Sequence, residues 1–99
     1  MAYKIIFQKK FIKKSAEVSG WIEKEWSKAS ADKFAITLYN KIESLRQTPL
    51  AGMPSPKKPE YRKLIITKHN KIYYRIKGKT IYIVNLIESK QNPGKNKYE

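Results

Sequence analysis

The stretch from Lys71 to Ile87 sets the tightest limit on what this chain can fold into. Lys71–Lys77 alternates residue by residue. Ile72, Tyr74 and Ile76 fall on one side, and Lys71, Tyr73, Arg75 and Lys77 on the other, the two-residue period of a strand. Gly78-Lys79 reads as a tight hairpin turn. The run that follows, Thr80–Ile87, is apolar on both faces, which marks a central strand with neighbours on either side. Tyr61–Thr67, ahead of a polar Lys68-His69-Asn70 turn, supplies another strand of the same meander. Tyr3–Phe7 supplies a fourth, expected to pair beside Thr80–Ile87.

The cover for this sheet lies between the first strand and the meander. From about Lys10 to Ser27, Phe11, Ser15, Val18, Ile22 and Trp26 recur at spacings of three and four, the period of a helix with one dry face. Gly20 interrupts that helix at a cost of about 1 kcal/mol relative to Ala. A second helix, from about Ala31 to Gln47, carries Phe34, Leu38, Ile42 and Leu45 on one face and is stopped by Pro49. Ser27 or Ser30 offers the hydroxyl that caps it, and the short link predicts an antiparallel helical hairpin. The fold expected is therefore α+β, in the order βααβββ, with the hairpin packed on a four-stranded, mainly antiparallel sheet.

Residues 48–60 hold four of the five prolines and read as a restrained loop, since neither flank could bury its apolar face alone. Residues 1–88 are thus expected to form one domain, followed by a basic polar tail, 89–99. The chain carries 22 Lys/Arg against 8 Asp/Glu, a formal net charge of +14 on 99 residues. Residues 1–48 hold ten cations and five acids, residues 49–99 twelve and three, so the sheet half is the more electropositive. A charge of this size speaks to partners, namely nucleic acid, an anionic surface or an acidic protein. Cysteine is absent and His69 is the sole histidine, which excludes disulfides, thiol nucleophiles and multi-histidine metal sites. No apolar run is long enough for a signal peptide or a membrane span, so the cytoplasm is the expected compartment.

These elements, in this order, resemble the RelE/ParE superfamily of bacterial type II toxins, often labelled plasmid stabilization proteins. The resemblance is carried by Tyr3–Phe7 followed by Phe11, by Thr48-Pro49-Leu50-Ala51-Gly52 and by Tyr61-Arg62-Lys63-Leu64. It continues through Ile72-Tyr73-Tyr74-Arg75-Ile76 and Ile81-Tyr82-Ile83-Val84-Asn85-Leu86. It implies a toxin silenced by a cognate antitoxin, expected to present an acidic, amphipathic segment to the basic sheet half. It implies no metal or organic cofactor. The action expected is ribosome-dependent cleavage of mRNA, because the cations concentrate on the sheet half; poisoning of DNA gyrase, favoured by the long helical hairpin, is the alternative. A non-toxic nucleic-acid-binding module is a third reading.

Cleavage by a 2′-hydroxyl attacking the adjacent phosphate needs a proton acceptor, a proton donor and fixed cations around the phosphate. By position, the resemblance maps these roles onto Arg62 with Lys63, Lys71, Lys90 and, loosely, Tyr98. Lys71 and Lys90 stand where such enzymes usually carry arginine, and lysine lacks the planar fork that grips a phosphate by two bonds. Lys57, Lys58, Tyr73, Arg75 and Lys77 are candidates for binding nucleic acid, combining charge with an aromatic ring for stacking. The ordinary reading of the same lysines is a solvated strand face. His69 reads as a turn residue with no carboxylate near it in sequence to orient it. Trp21 and Trp26 read as packing residues of the core or the hairpin.

Overall fold

A computed structural model describes residues 3–88. The elements run β1 (Lys4–Phe7), α1 (Lys9–Glu25), α2 (Lys28–Ser44), β2 (Met53–Pro54), β3 (Arg62–Thr67), β4 (Asn70–Lys77) and β5 (Thr80–Glu88). They form one sheet in the order β1-β5-β4-β3-β2. β1 runs parallel to β5, with Lys4 opposite Thr80 and Phe7 opposite Ile83, and the other pairs are antiparallel. The sheet has five strands where four were expected. The fifth is Met53–Pro54, a two-residue piece of the proline-rich loop held against Lys63 and Arg62. Proline there is tolerated because β2 is an edge, where a missing N–H breaks no interior ladder.

The doubly apolar run does become an interior strand, β5, between β1 and β4. On its helix side Ile81, Ile83 and Leu86 join Ile66, Ile72 and Tyr74 against Phe11 and Val18 of α1 and Phe34, Leu38 and Ile42 of α2. On the other side Val84 and Ile87 form a smaller cluster with Tyr73, against which Tyr61 packs. The parity of β5 changes between these sets through a bulge. Tyr73 lies opposite Asn85 but Tyr74 lies opposite Ile83, so Val84 is the extra residue.

The helices start where local chemistry satisfies free N–H groups. Ser27 accepts a hydrogen bond from the Ser30 N–H at 3.0 Å, so α2 begins at Lys28, earlier than the apolar pattern alone implies. At the start of α1 the Gln8 side chain makes no cap, and its backbone N–H instead donates to the Ile83 carbonyl at 3.0 Å, fixing the helix to β5. α2 ends at Ser44, short of Pro49. The Ser44 carbonyl then accepts from both the N–H and the hydroxyl of Thr48, turning the chain toward the loop. No helix among the described residues is long and apolar enough to cross a membrane.

Candidate functional site

The proline-rich loop is held by a latch beneath the first residues of β3. The Tyr74 hydroxyl donates to the Pro49 carbonyl at 2.7 Å and accepts from the Gly52 N–H at 2.8 Å. Arg62 donates from its guanidinium to the Gly52 carbonyl at 2.6 Å. A side-chain carbon at Gly52 would lie 2.7 Å from the Lys63 carbonyl oxygen and 2.7 Å from the Tyr74 oxygen, so only glycine fits there. Burial pushes the Tyr74 phenol above its usual pKa, opposed by the Gly52 N–H and the Arg62 charge. Beyond the latch, the Ser55 N–H donates to the Tyr61 carbonyl at 2.8 Å and the Tyr61 N–H to the Lys58 carbonyl at 2.9 Å. This small closed loop presents Lys57, exposed, and Lys58, half-buried.

Arg62 sits opposite Tyr74, whose ring belongs to the helix-side core, so strand alternation places Lys63 on the other face. Lys63 lies opposite Tyr73, and Lys71 opposite Ile65, on the face turned away from the helices. Arg75 and Lys77 share it, opposite Tyr82 and Thr80. By the same alternation Lys4 of β1 falls on this face, across β5 from Lys77. The face is a dry floor of Tyr73, Val84 and Ile87, covered in part by Tyr61, with cations around it. The Lys71 ammonium stands 5.9 Å from the centre of the Tyr73 ring, and the Arg75 guanidinium 5.7 Å from that of Tyr61.

Two expectations need correction here. Tyr73 was expected to offer its ring for stacking, but it is 0% exposed, because Val84, Ile87 and Tyr61 close over the face that simple alternation makes wet. Tyr61, at the rim of this cluster, is the aromatic that sequence reasoning passed over, and its place just before Arg62 was the available signal. Trp21 and Trp26 were read as packing residues, yet they are 58% and 74% exposed. They line a groove of about 340 Å³ with Val18, Ile22, Ser30, His69, Asn70 and Glu88. His69 therefore stands with the indoles, at the opposite end of β3 from Arg62 and Lys63. Lys90 and Tyr98 lie outside the described residues.

Comparison with known proteins agrees with this architecture. In the solved structures, a chain of the chromosomal ParDE toxin–antitoxin system from P. aeruginosa superposes with a TM-score of 0.78 at 20% identity, covering 88% of this chain and 96% of that one. A YoeB/ParE toxin from Agrobacterium tumefaciens gives 0.60 at 13% identity, covering 86% and 96%. A conserved hypothetical protein from Helicobacter pylori gives 0.59 at 17% identity, covering 90% and 97%. At these identities the likeness is one of fold. No curated protein matches the chain in sequence. The family model described as "ParE toxin of type II toxin-antitoxin system, parDE" matches residues 5–93, from the first strand into the tail. The chain belongs to the ParE toxin family of type II toxin–antitoxin systems.

Proposed function

We propose that this toxin arrests growth by binding its target, in the manner of a DNA gyrase poison, and not by cutting mRNA. The observation that carries this reading is the division of the candidate catalytic cations. RNA cleavage needs its proton carriers and phosphate-binding cations around a single phosphate. Arg62 instead turns toward the latch and donates to the Gly52 carbonyl, while Lys63 and Lys71 project from the opposite face of the sheet. His69 is separated from Arg62 by the six residues of β3, about 20 Å at ~3.3 Å per residue. A poison that works by occupying a surface needs no such convergence.

The cognate antitoxin that this family implies would reach the same sheet face with an acidic, amphipathic segment. Its apolar side would meet Tyr61 and Ile65, and its carboxylates Lys63, Lys71 and Arg75. Expression without antitoxin is expected to arrest growth with intact mRNA and trapped gyrase–DNA breaks. Codon-phased cuts seen by primer extension after induction would overturn the proposal in favour of ribosome-dependent cleavage. Harmless expression would remove both toxin readings and leave a nucleic-acid-binding module.

A further inference from the structure

The charged side chains of the sheet are sorted by face. Its strands carry six cations, Lys4, Arg62, Lys63, Lys71, Arg75 and Lys77, and one carboxylate, Glu88. Glu88 lies opposite Asn70 and lines the groove beside α1, on the helix side. Arg62 is held in the latch. The other five cations share the far face, where no strand residue is acidic. Of the remaining carboxylates among the described residues, Glu17, Glu23, Glu25, Asp32 and Glu43 sit on the helical hairpin and Glu60 in the proline-rich loop.

The far face is not uniform. On its β3 side Ile65, 50% exposed, and Tyr61 give it an apolar character suited to an amphipathic protein segment. The corner made by β1, β5 and β4 is different. Lys4, Thr80 and Lys77 form one row across the three strands, and Tyr82 and Arg75 stand in the next. Lys4 and Lys77 are exposed, while Thr80, Tyr82 and Arg75 are half-buried. None of the exposed large apolar side chains belongs to this corner. Two strand spacings set Lys4 about 10 Å from Lys77, and Arg75 follows about 7 Å along β4. Cations with hydroxyls between them are the donor set that holds a phosphate backbone without reading its bases. A single strand would add stacking on open rings. Here Tyr73 is 0% exposed, and the Arg75 guanidinium stands 5.7 Å from the centre of the Tyr61 ring, so the surface suits a duplex.

We propose that the corner of Lys4, Lys77 and Arg75 binds the sugar–phosphate backbone of duplex DNA. This deepens the gyrase reading, on which it rests for the source of the DNA, and gives the toxin a hold on the segment that gyrase carries.

Fluorescence anisotropy of a labelled duplex of about 20 base pairs, titrated with the full chain at a series of salt concentrations, counts the phosphates engaged. With the five cations of the face in contact, the logarithmic slope is about −4.5, and affinity falls about 500-fold between roughly 50 and 200 mM salt. Lys4→Gln, Arg75→Gln and Lys77→Gln together should bring the slope to about −1.8 and the fall to about tenfold. Lys10→Gln, Lys13→Gln and Lys33→Gln on the hairpin remove the same charge and should leave the slope unchanged. Lys77→Gln by itself, at the exposed end of β4, should reduce the slope by about one and keeps the test open if the triple variant fails to fold. Equal losses in the corner and hairpin variants would overturn the proposal, since diffuse charge would then hold the DNA. Tighter binding of a single strand, or displacement of the duplex by a glutamate polymer of equal charge, would overturn it in favour of RNA or an acidic protein. With gyrase and plasmid, the corner variant should trap fewer DNA breaks than the hairpin variant. If the unmodified chain traps none while the salt slopes divide as expected, the gyrase reading fails and the DNA-binding corner stands.

Discussion

Replacing Tyr74 by Phe removes a single oxygen and opens two hydrogen bonds of the loop latch, to the Pro49 carbonyl and from the Gly52 N–H. The ring and its buried area stay, so the hydrophobic contribution is unchanged. Each lost bond costs about 1 kcal/mol, and the buried Gly52 N–H, left without a partner, adds about 1–2 kcal/mol more. The expected loss is about 3–4 kcal/mol, a large part of the 5–15 kcal/mol typical of a small domain. Urea unfolding followed by circular dichroism at pH 7 should show a lower midpoint with an unchanged slope. The sign of the pH dependence is set by burial, which raises the folded-state pKa of Tyr74 above the unfolded value near 10. Stability from the neutral phenol is therefore full below pH about 10 and is lost as the pH climbs through the folded pKa. Phe has no proton to lose, so the difference between the two proteins should narrow above pH about 10. A loss under about 0.5 kcal/mol at pH 7, or a difference that does not narrow in alkali, would refute the latch as a stabilising device.

Gly52→Ala should lower the melting temperature, because its new carbon meets the β3 backbone at 2.7 Å, and overpacking of this kind costs about 1–3 kcal/mol. Gly20→Ala should do the opposite, gaining about 0.5–1 kcal/mol in a thermal melt, since nothing lies within 4 Å of the added methyl. Ser27→Ala removes the α2 cap, and denaturant titration should show a loss of about 1 kcal/mol. Arg62→Ala should weaken toxicity together with stability, by about 1.5–3 kcal/mol, because its charge-assisted bond to Gly52 is lost. Lys71→Ala should leave the melting temperature nearly unchanged, so a growth assay run beside a melt separates the two residues.

The elements were legible wherever one periodicity ran long enough. Phe34, Leu38 and Ile42 predicted the buried face of α2, and Thr80–Ile87 predicted an interior strand. What the sequence hid were features decided by contacts distant along the chain. Met53–Pro54 counts as a strand only because Lys63 and Arg62 lie beside it, and no propensity marks a two-residue proline-containing edge. Tyr73 was expected to be wet because alternation assigns faces but does not say that a second, small cluster covers one of them. The cations of the site were visible as residue types, yet Arg62 and Lys63, adjacent in sequence, serve opposite faces of the sheet. The groove at Trp21 and Trp26 was missed because helical spacing from Val18 and Ile22 also fits a buried stripe, and periodicity does not say that no element packs over these two indoles, which are 58% and 74% exposed.

The parallel pairing of β1 with β5 carries a consequence for synthesis. Lys4–Phe7 leaves the ribosome first, but the strand it lies against is the last element of the fold. At about 5–20 residues per second, roughly 4–16 seconds separate the birth of the two strands. During that interval the helical hairpin has no completed sheet to cover, and the cationic face has no finished floor. The newborn chain is thus kept from its final shape until translation has passed Glu88, whatever partner waits for it.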